Sequence, residues 1–191
     1  DANLSVSHTV LDVLREDESI PLPRYCGEVK VTMIVTVFKK MKMDTHENLG
    51  WGEVNLPELD MHTTAYWTVI PEKRLSSMPQ SEAQEVMTGV ANLIAQASPI
   101  FLMCDPKDIH VRYEVRSTFT QAPTITVYDS APGGVGLSEK LYDLHMQLYA
   151  AALSMLDACP CESGCPSCVG PTGMKARTRT LLEVMLRGGS A

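Results

Sequence analysis

The sequence predicts an α+β fold: a mostly antiparallel sheet packed by two or three helices, with a C-terminal four-cysteine knuckle. Three observations predict it. β-branched and aromatic segments, partly alternating with polar residues, fill most of residues 1–127. Apolar positions at three- and four-residue steps dominate residues 128–191 and one earlier segment. Four of the six cysteines fall within ten residues near the end of the chain. Strands grouped ahead of helices, rather than alternating with them, favour α+β over α/β architecture. The 191 residues suffice for one sizeable core or two small ones. The expected organisation is a single domain over residues 1–191, with a strand-rich part (1–127) and a helical, four-cysteine part (128–191).

Taken in order, residues 3–16 place Leu4, Val6, Val10, Leu11, Val13 and Leu14 at a spacing that fits a helix as well as one or two short strands, and strand is the reading adopted. Residues 16–23 are acidic, then proline-rich, and read as a loop. From Glu28 to Met41, Val29, Val31, Ile34, Val35 and Val37 interleave with Lys30, Thr32 and Thr36, a clear strand. Asp44, Asn48, Gly50 and Gly52 mark a connection with a hairpin, where Trp51 reads as capping the core rather than as an exposed contact. Met61 to Ile70 is a second firm strand, stopped by Pro71. Ser81 opens a helix with Glu82 and Glu85 in its first turn, and Pro99 is expected to end it. Ile109 to Arg116 and Thr124 to Tyr128 read as strands. After a turn at residues 129–136 a long helix should present Leu137, Leu141, Leu144, Leu148, Ala151 or Ala152, and Met155. A last helix is expected over about residues 174–186.

Composition bounds the function. Hydrophobic residues make up 45% and charged residues 20%, an ordinary globular balance. With 16 basic against 23 acidic residues the net charge is −7, which argues against a free-standing, non-specific DNA binder. A nucleic-acid role must then rest on a local patch or a neighbouring domain. No apolar run is long enough to span a membrane, and the opening Asp-Ala-Asn-Leu-Ser is no signal peptide. Clustered thiols point to the reducing cytosol, so a cytoplasmic location is expected. A start at Asp1 rather than Met is what a fragment cut from a longer polypeptide would show.

The chemistry concentrates in Cys159, Cys161, Cys165 and Cys168, within Cys-Pro-Cys-Glu-Ser-Gly-Cys-Pro-Ser-Cys. Short knuckles of this kind bring thiolates to tetrahedral corners about 2.3 Å from a metal. Cys165-x-x-Cys168 has the usual spacing, and Cys159-x-Cys161 is tighter. A structural Zn²⁺ is the first reading. An iron–sulfur cluster and two local disulfides are the alternatives. Four thiolates without a histidine leave a metal no open position, hence a structural rather than a catalytic role. A redox CxxC pair would follow a strand, whereas these cysteines follow a helix.

Two further stretches admit more than one reading. Gly133-Gly134-Val135-Gly136, ahead of a helix, lets the turn pack tightly, or offers backbone amides to the phosphate of a nucleic acid or of a nucleotide. Asp129 just before it reads as a cap or turn support. Lys175, Arg177 and Arg179 either track a phosphate backbone or form a solvated helix face. The five histidines show no paired spacing and receive no metal, and Cys26 and Cys104 read as small buried apolar side chains.

Taken together, Tyr128-Asp129-Ser-Ala-Pro-Gly-Gly-Val-Gly-Leu137, the helix after it and the cysteine run resemble the MrfA-type zinc-binding (MZB) domain. That domain lies at the C-terminus of certain superfamily-two DEAD/DEAH-box DNA helicases. Gly27-Glu-Val-Lys-Val31, Leu56-Pro57 and Thr63-Thr-Ala-Tyr-Trp67 are similar to the preceding part of that region. The resemblance implies the four cysteines as Zn²⁺ ligands, and Lys175, Arg177, Arg179, Gly133 and Gly134 as places to look for DNA contacts. It also implies partnership with helicase motor lobes in cis or trans, and with single-stranded DNA. The parent activity would be ATP-dependent 3′–5′ unwinding, often in DNA repair. The sequence holds neither G-x-x-x-x-G-K-[ST] nor Asp-Glu-x-His, so ATP would bind only in a motor domain these residues lack. The rival expectation is a metal-stapled protein-interaction scaffold, partnering a helicase in trans as in some phage-defence systems. A stand-alone redox or hydrolytic enzyme has no constellation to support it.

Overall fold

A computed structural model describes residues 2–20, 22–45, 47–53, 56–170 and 173–187, with side chains placed at all of these but 2–4, 36–39, 41, 48 and 53. The strands are β1 (Ala2–Asp17), β2 (Arg24–Met41), β3 (Asn48–Glu53), β4 (Leu59–Val69), β5 (Ile109–Glu114) and β6 (Thr124–Asp129). The helices are α1 (Gln80–Leu102), α2 (Leu137–Asp143), α3 (His145–Ala158) and α4 (Lys175–Arg187). His46, one of the five histidines left without a metal role, lies outside the described residues. Among the described residues no helix is long and apolar enough to cross a membrane.

The sheet is antiparallel throughout, in the order β1-β2-β4-β6-β5, and β3 pairs with the end of β2 that β4 does not reach. This is the α+β arrangement the sequence predicts. Alternation along the strands divides its side chains between two faces. Cys26, Tyr66, Ile125 and Val127 face α1, α2, α3 and α4 and share the main core with Val86, Val90, Leu148 and Leu182. Val29, Val31, Ala65, Trp67 and Tyr128 form a smaller cluster on the opposite face, against Val6, Val10 and Val13 of β1. β6, central and covered on both faces, is buried at every residue. That accounts for its near-continuous apolar and threonine sequence.

β1 is one strand bent by register shifts between Val10 and Asp12 and between Val13 and Arg15. Its bend passes so close over β2 that a Cβ on Gly27 would lie 2.0 Å from the Asp12 carbonyl oxygen. Farther along, His8 Nε2 comes within 3.6 Å of a Glu114 carboxylate oxygen, bringing one edge strand beside the other.

Three local expectations need correction. α1 runs through Pro99 to Leu102 and closes on Met103, a left-handed residue (φ 52°) whose amide bonds the Pro99 carbonyl. Proline removes the bond to the Ala95 carbonyl, but Ala95 is exposed and water can take that oxygen, while Leu102 stays buried and holds the last turn. The long helix breaks at Leu144 (φ −92°, ψ 10°) into α2 and α3, and its buried face is Leu141, Tyr142, His145, Leu148, Tyr149, Ala152 and Leu156, with Leu137 and Met155 packed partly buried against the core and Leu144 outside it. Trp51 is 56% exposed, because β3 hangs on the end of β2 with no helix over it.

Candidate metal centre

α3 ends at Ala158 and hands the chain to Cys159 in an extended conformation (φ −72°, ψ 124°). Gly164 then takes φ 138°, and the Cys165 carbonyl accepts from the amides of Cys168 (3.0 Å) and Gly170 (2.9 Å). The Cys165 amide donates to Cys168 Sγ at 3.3 Å. The four sulfurs thus converge. Cys159 to Cys161, Cys159 to Cys165 and Cys161 to Cys168 are each 3.5 Å apart, and Cys165 to Cys168 is 3.6 Å. All four lie within 4.8 Å of one another. Thiolates 2.3 Å from one tetrahedral ion would stand ~3.8 Å apart, close to these separations. A disulfide needs about 2.05 Å, and all six cysteines are free. A cage this tight has room for one ion, not for the several irons of a cluster. Zn²⁺ fits it.

The thiols also differ in acidity. Hydrogen bonds, led by the Cys161 backbone, lower Cys159 to about 7, whereas burial foremost pushes Cys161 up to about 12. Cys159 thus favours the thiolate while Cys161 and Cys165 favour the thiol. A dication removes that conflict by holding all four as thiolates.

Two helices grip the knuckle. From α1, the side-chain amides of Asn92 and Gln96 donate to the carbonyls of Val169 (3.3 Å) and Cys168 (3.5 Å). From α4, Lys175 Nζ donates to the carbonyls of both Cys159 and Cys161, each at 2.6 Å, and the Lys175 amide bonds the Ser163 carbonyl at 3.0 Å. Cys168 and Val169 have no exposure at all. Two further basic residues of α4, Arg177 and Arg179, are also engaged. Arg177 pairs with Glu82 of α1, and Arg179 pairs with Asp157 (2.6 Å) and Glu183 (2.7 Å). The two guanidinium side chains stay about half exposed, at 49% and 47%.

At the glycine turn, the buried carboxylate of Asp129 accepts from the amides of Val135 (2.7 Å), Leu137 (3.2 Å) and Ser138 (2.8 Å). Those amides at the start of α2 already hold an anion from the protein itself. Gly134 (φ 73°) lies against Thr64, whose Oγ1 would be 2.2 Å from an added Cβ. Gly133 is open on its Cα side, and its amide donates to the His62 carbonyl at 2.8 Å. At Gly134 the turn is tightly packed, with Asp129 as its support. Sequence reasoning missed His145, fully buried and hydrogen-bonded through Nδ1 to Tyr66. No local spacing signals that pair, since the partners are 79 residues apart.

Comparison with known proteins agrees with this picture. The family model described as the MrfA Zn-binding domain matches residues 90–169. The "Uncharacterized ATP-dependent helicase YprA" of Bacillus subtilis (strain 168) is 37% identical over 183 residues, covering 95% of this chain and 24% of that protein. The "Uncharacterized protein MJ1572.1" of Methanocaldococcus jannaschii is 33% identical over 90 residues, covering 45% of this chain and 80% of that protein. The crystal structure of the DUF1998 helicase MrfA bound to DNA superposes with a TM-score of 0.82 at 35% identity, covering 97% of this chain and 25% of that one. The chain spans about a quarter of the length of the helicases it matches.

Proposed function

The chain belongs to the MrfA Zn-binding domain family, and on that premise we propose that it acts as the accessory domain of an ATP-dependent 3′–5′ DNA helicase, bracing the motor and guiding single-stranded DNA in repair. The observation that carries this reading is the superposition of nearly the whole chain on one quarter of a DNA-bound helicase. Its contribution would be mechanical and electrostatic. Cys159, Cys161, Cys165 and Cys168 would hold Zn²⁺, which supplies no reaction step and fixes the ends of α3 and α4. Leu49, Trp51 and Leu59, exposed large apolar side chains on β3 and the start of β4, offer a surface for a motor lobe in cis or in trans. Arg177 and Arg179, half exposed despite their partners, are the groups proposed to meet a phosphate backbone. Gly133 and Gly134 would shape the neighbouring turn. Clustered thiols held in this way belong in a reducing compartment such as the cytoplasm.

A scaffold that binds only protein is the second reading, favoured by the internal pairing of every α4 cation named here and by the net charge of −7. The double variant Arg177→Glu, Arg179→Glu separates the two. Single-stranded DNA affinity, measured by fluorescence anisotropy at low salt for the chain joined to or mixed with its motor, should fall at least several-fold if α4 guides DNA. An unchanged affinity with motor binding intact would leave the scaffold reading.

A further inference from the structure

We propose that Lys175 is a positioning residue of the zinc site: its ammonium ties together the carbonyls of Cys159 and Cys161 and sets a positive charge beside the thiolate cage. This rests on zinc being the resident ion, but it concerns a residue outside the ligand set.

The tight Cys159-x-Cys161 spacing poses the problem. Two ligands separated by only Pro160 must both aim sulfur at one point, and Pro160 has no amide with which to stabilise the turn. Their carbonyls therefore need an outside donor, and Lys175 Nζ reaches both at 2.6 Å. The other half of the cage is held differently, by its own turn bonds to the Cys165 carbonyl and by Asn92 and Gln96 of α1. Each half thus has its own support, and Lys175 is the side chain that supports the C-x-C half.

Charge points the same way. Four thiolates around a dication leave a net charge of about −2, and a nearby cation stabilises it. Lysine at the first position of a helix opposes the helix dipole, so its presence there needs a compensating anion. The thiolate cage, whose own Cys159 and Cys161 supply the bonded carbonyls, is that anion. Groups that orient metal ligands are typically worth 10–100-fold in metal affinity.

The test measures zinc release from the folded chain to a chromogenic chelator, together with the absorption spectrum of the Co²⁺-substituted protein. Lys175→Met should release zinc about 10–100-fold faster and alter the Co²⁺ thiolate bands. Lys175→Arg should recover most of the wild-type rate, and Lys140→Met, at an exposed lysine of α2, should not change it. Wild-type release and spectrum in Lys175→Met would overturn the proposal, whatever happened to DNA binding. So would equal destabilisation of the zinc-loaded and zinc-free forms, which would make Lys175 merely a helix-docking residue. Should Lys175→Met fail to fold, Lys175→Gln keeps a donor without the charge and must also speed release. Failure of the zinc reading would show separately, as no bound metal in the unaltered chain.

Discussion

Asp129 gathers three backbone amides onto one carboxylate with no exposure to solvent, so losing them strands the buried carboxylate and, at Ser138, a buried donor. Asp129→Asn, which keeps one acceptor oxygen and adds a donor where donors already converge, should cost about 2–4 kcal/mol in denaturant unfolding. A loss below about 0.5 kcal/mol would mean the turn does not depend on it. His145 makes the residue-scale case for pH. Burial foremost, and then the nearby positive charge of Arg24, lower its pKa from 6.5 to about 4. The folded form holds a neutral ring that the unfolded chain would protonate, so the stabilisation is fully present above pH 6.5 and is lost as pH falls toward 4. The slope is at most about 1.4 kcal/mol per pH unit for one proton. His145→Phe should flatten the stability profile between pH 6.5 and 4, and an unchanged slope would assign the acid sensitivity elsewhere. These residues also show what could be read in advance. The cysteines were legible because their ligand geometry is confined to ten residues. His145 was not, because its environment is assembled from β4 and α3, far apart in sequence.

At the scale of elements, the alternating segments foretold the strands, but not how β1 bends. Its shifts place the Asp12 carbonyl where any side chain at residue 27 would point, and the obstructing atoms are backbone that cannot swing aside. Gly27→Ala should therefore lower stability by about 1–3 kcal/mol and expose β1 to proteolysis. A variant as stable and as resistant as the wild type would show that the close approach is not required. The break at Leu144 was equally hidden, since apolar spacing continues smoothly across it. So was the reach of α1 past Pro99, which depends on the burial of Leu102 rather than on any local propensity. α4 was predicted as a helix, but its basic residues invite a surface reading that only the partners Glu82, Asp157 and the knuckle carbonyls qualify.

For the molecule as a whole, one apolar cluster joins the sheet to α1, α2, α3 and α4 and a second lies on the sheet's other face, with the four-cysteine knuckle packed against the first between α1, α3 and α4. Removing the metal should loosen residues 159–187 and the face of α1 beneath them, and leave the central strands β2, β4 and β6 protected. The most direct measurement combines elemental analysis of the chain purified without chelator with hydrogen exchange before and after zinc is withdrawn. One zinc per chain is predicted, with amide protection in α4 and the end of α3 lost as the metal leaves. A metal-free chain with the same protection, or thiols found joined in pairs, would contradict the central claim.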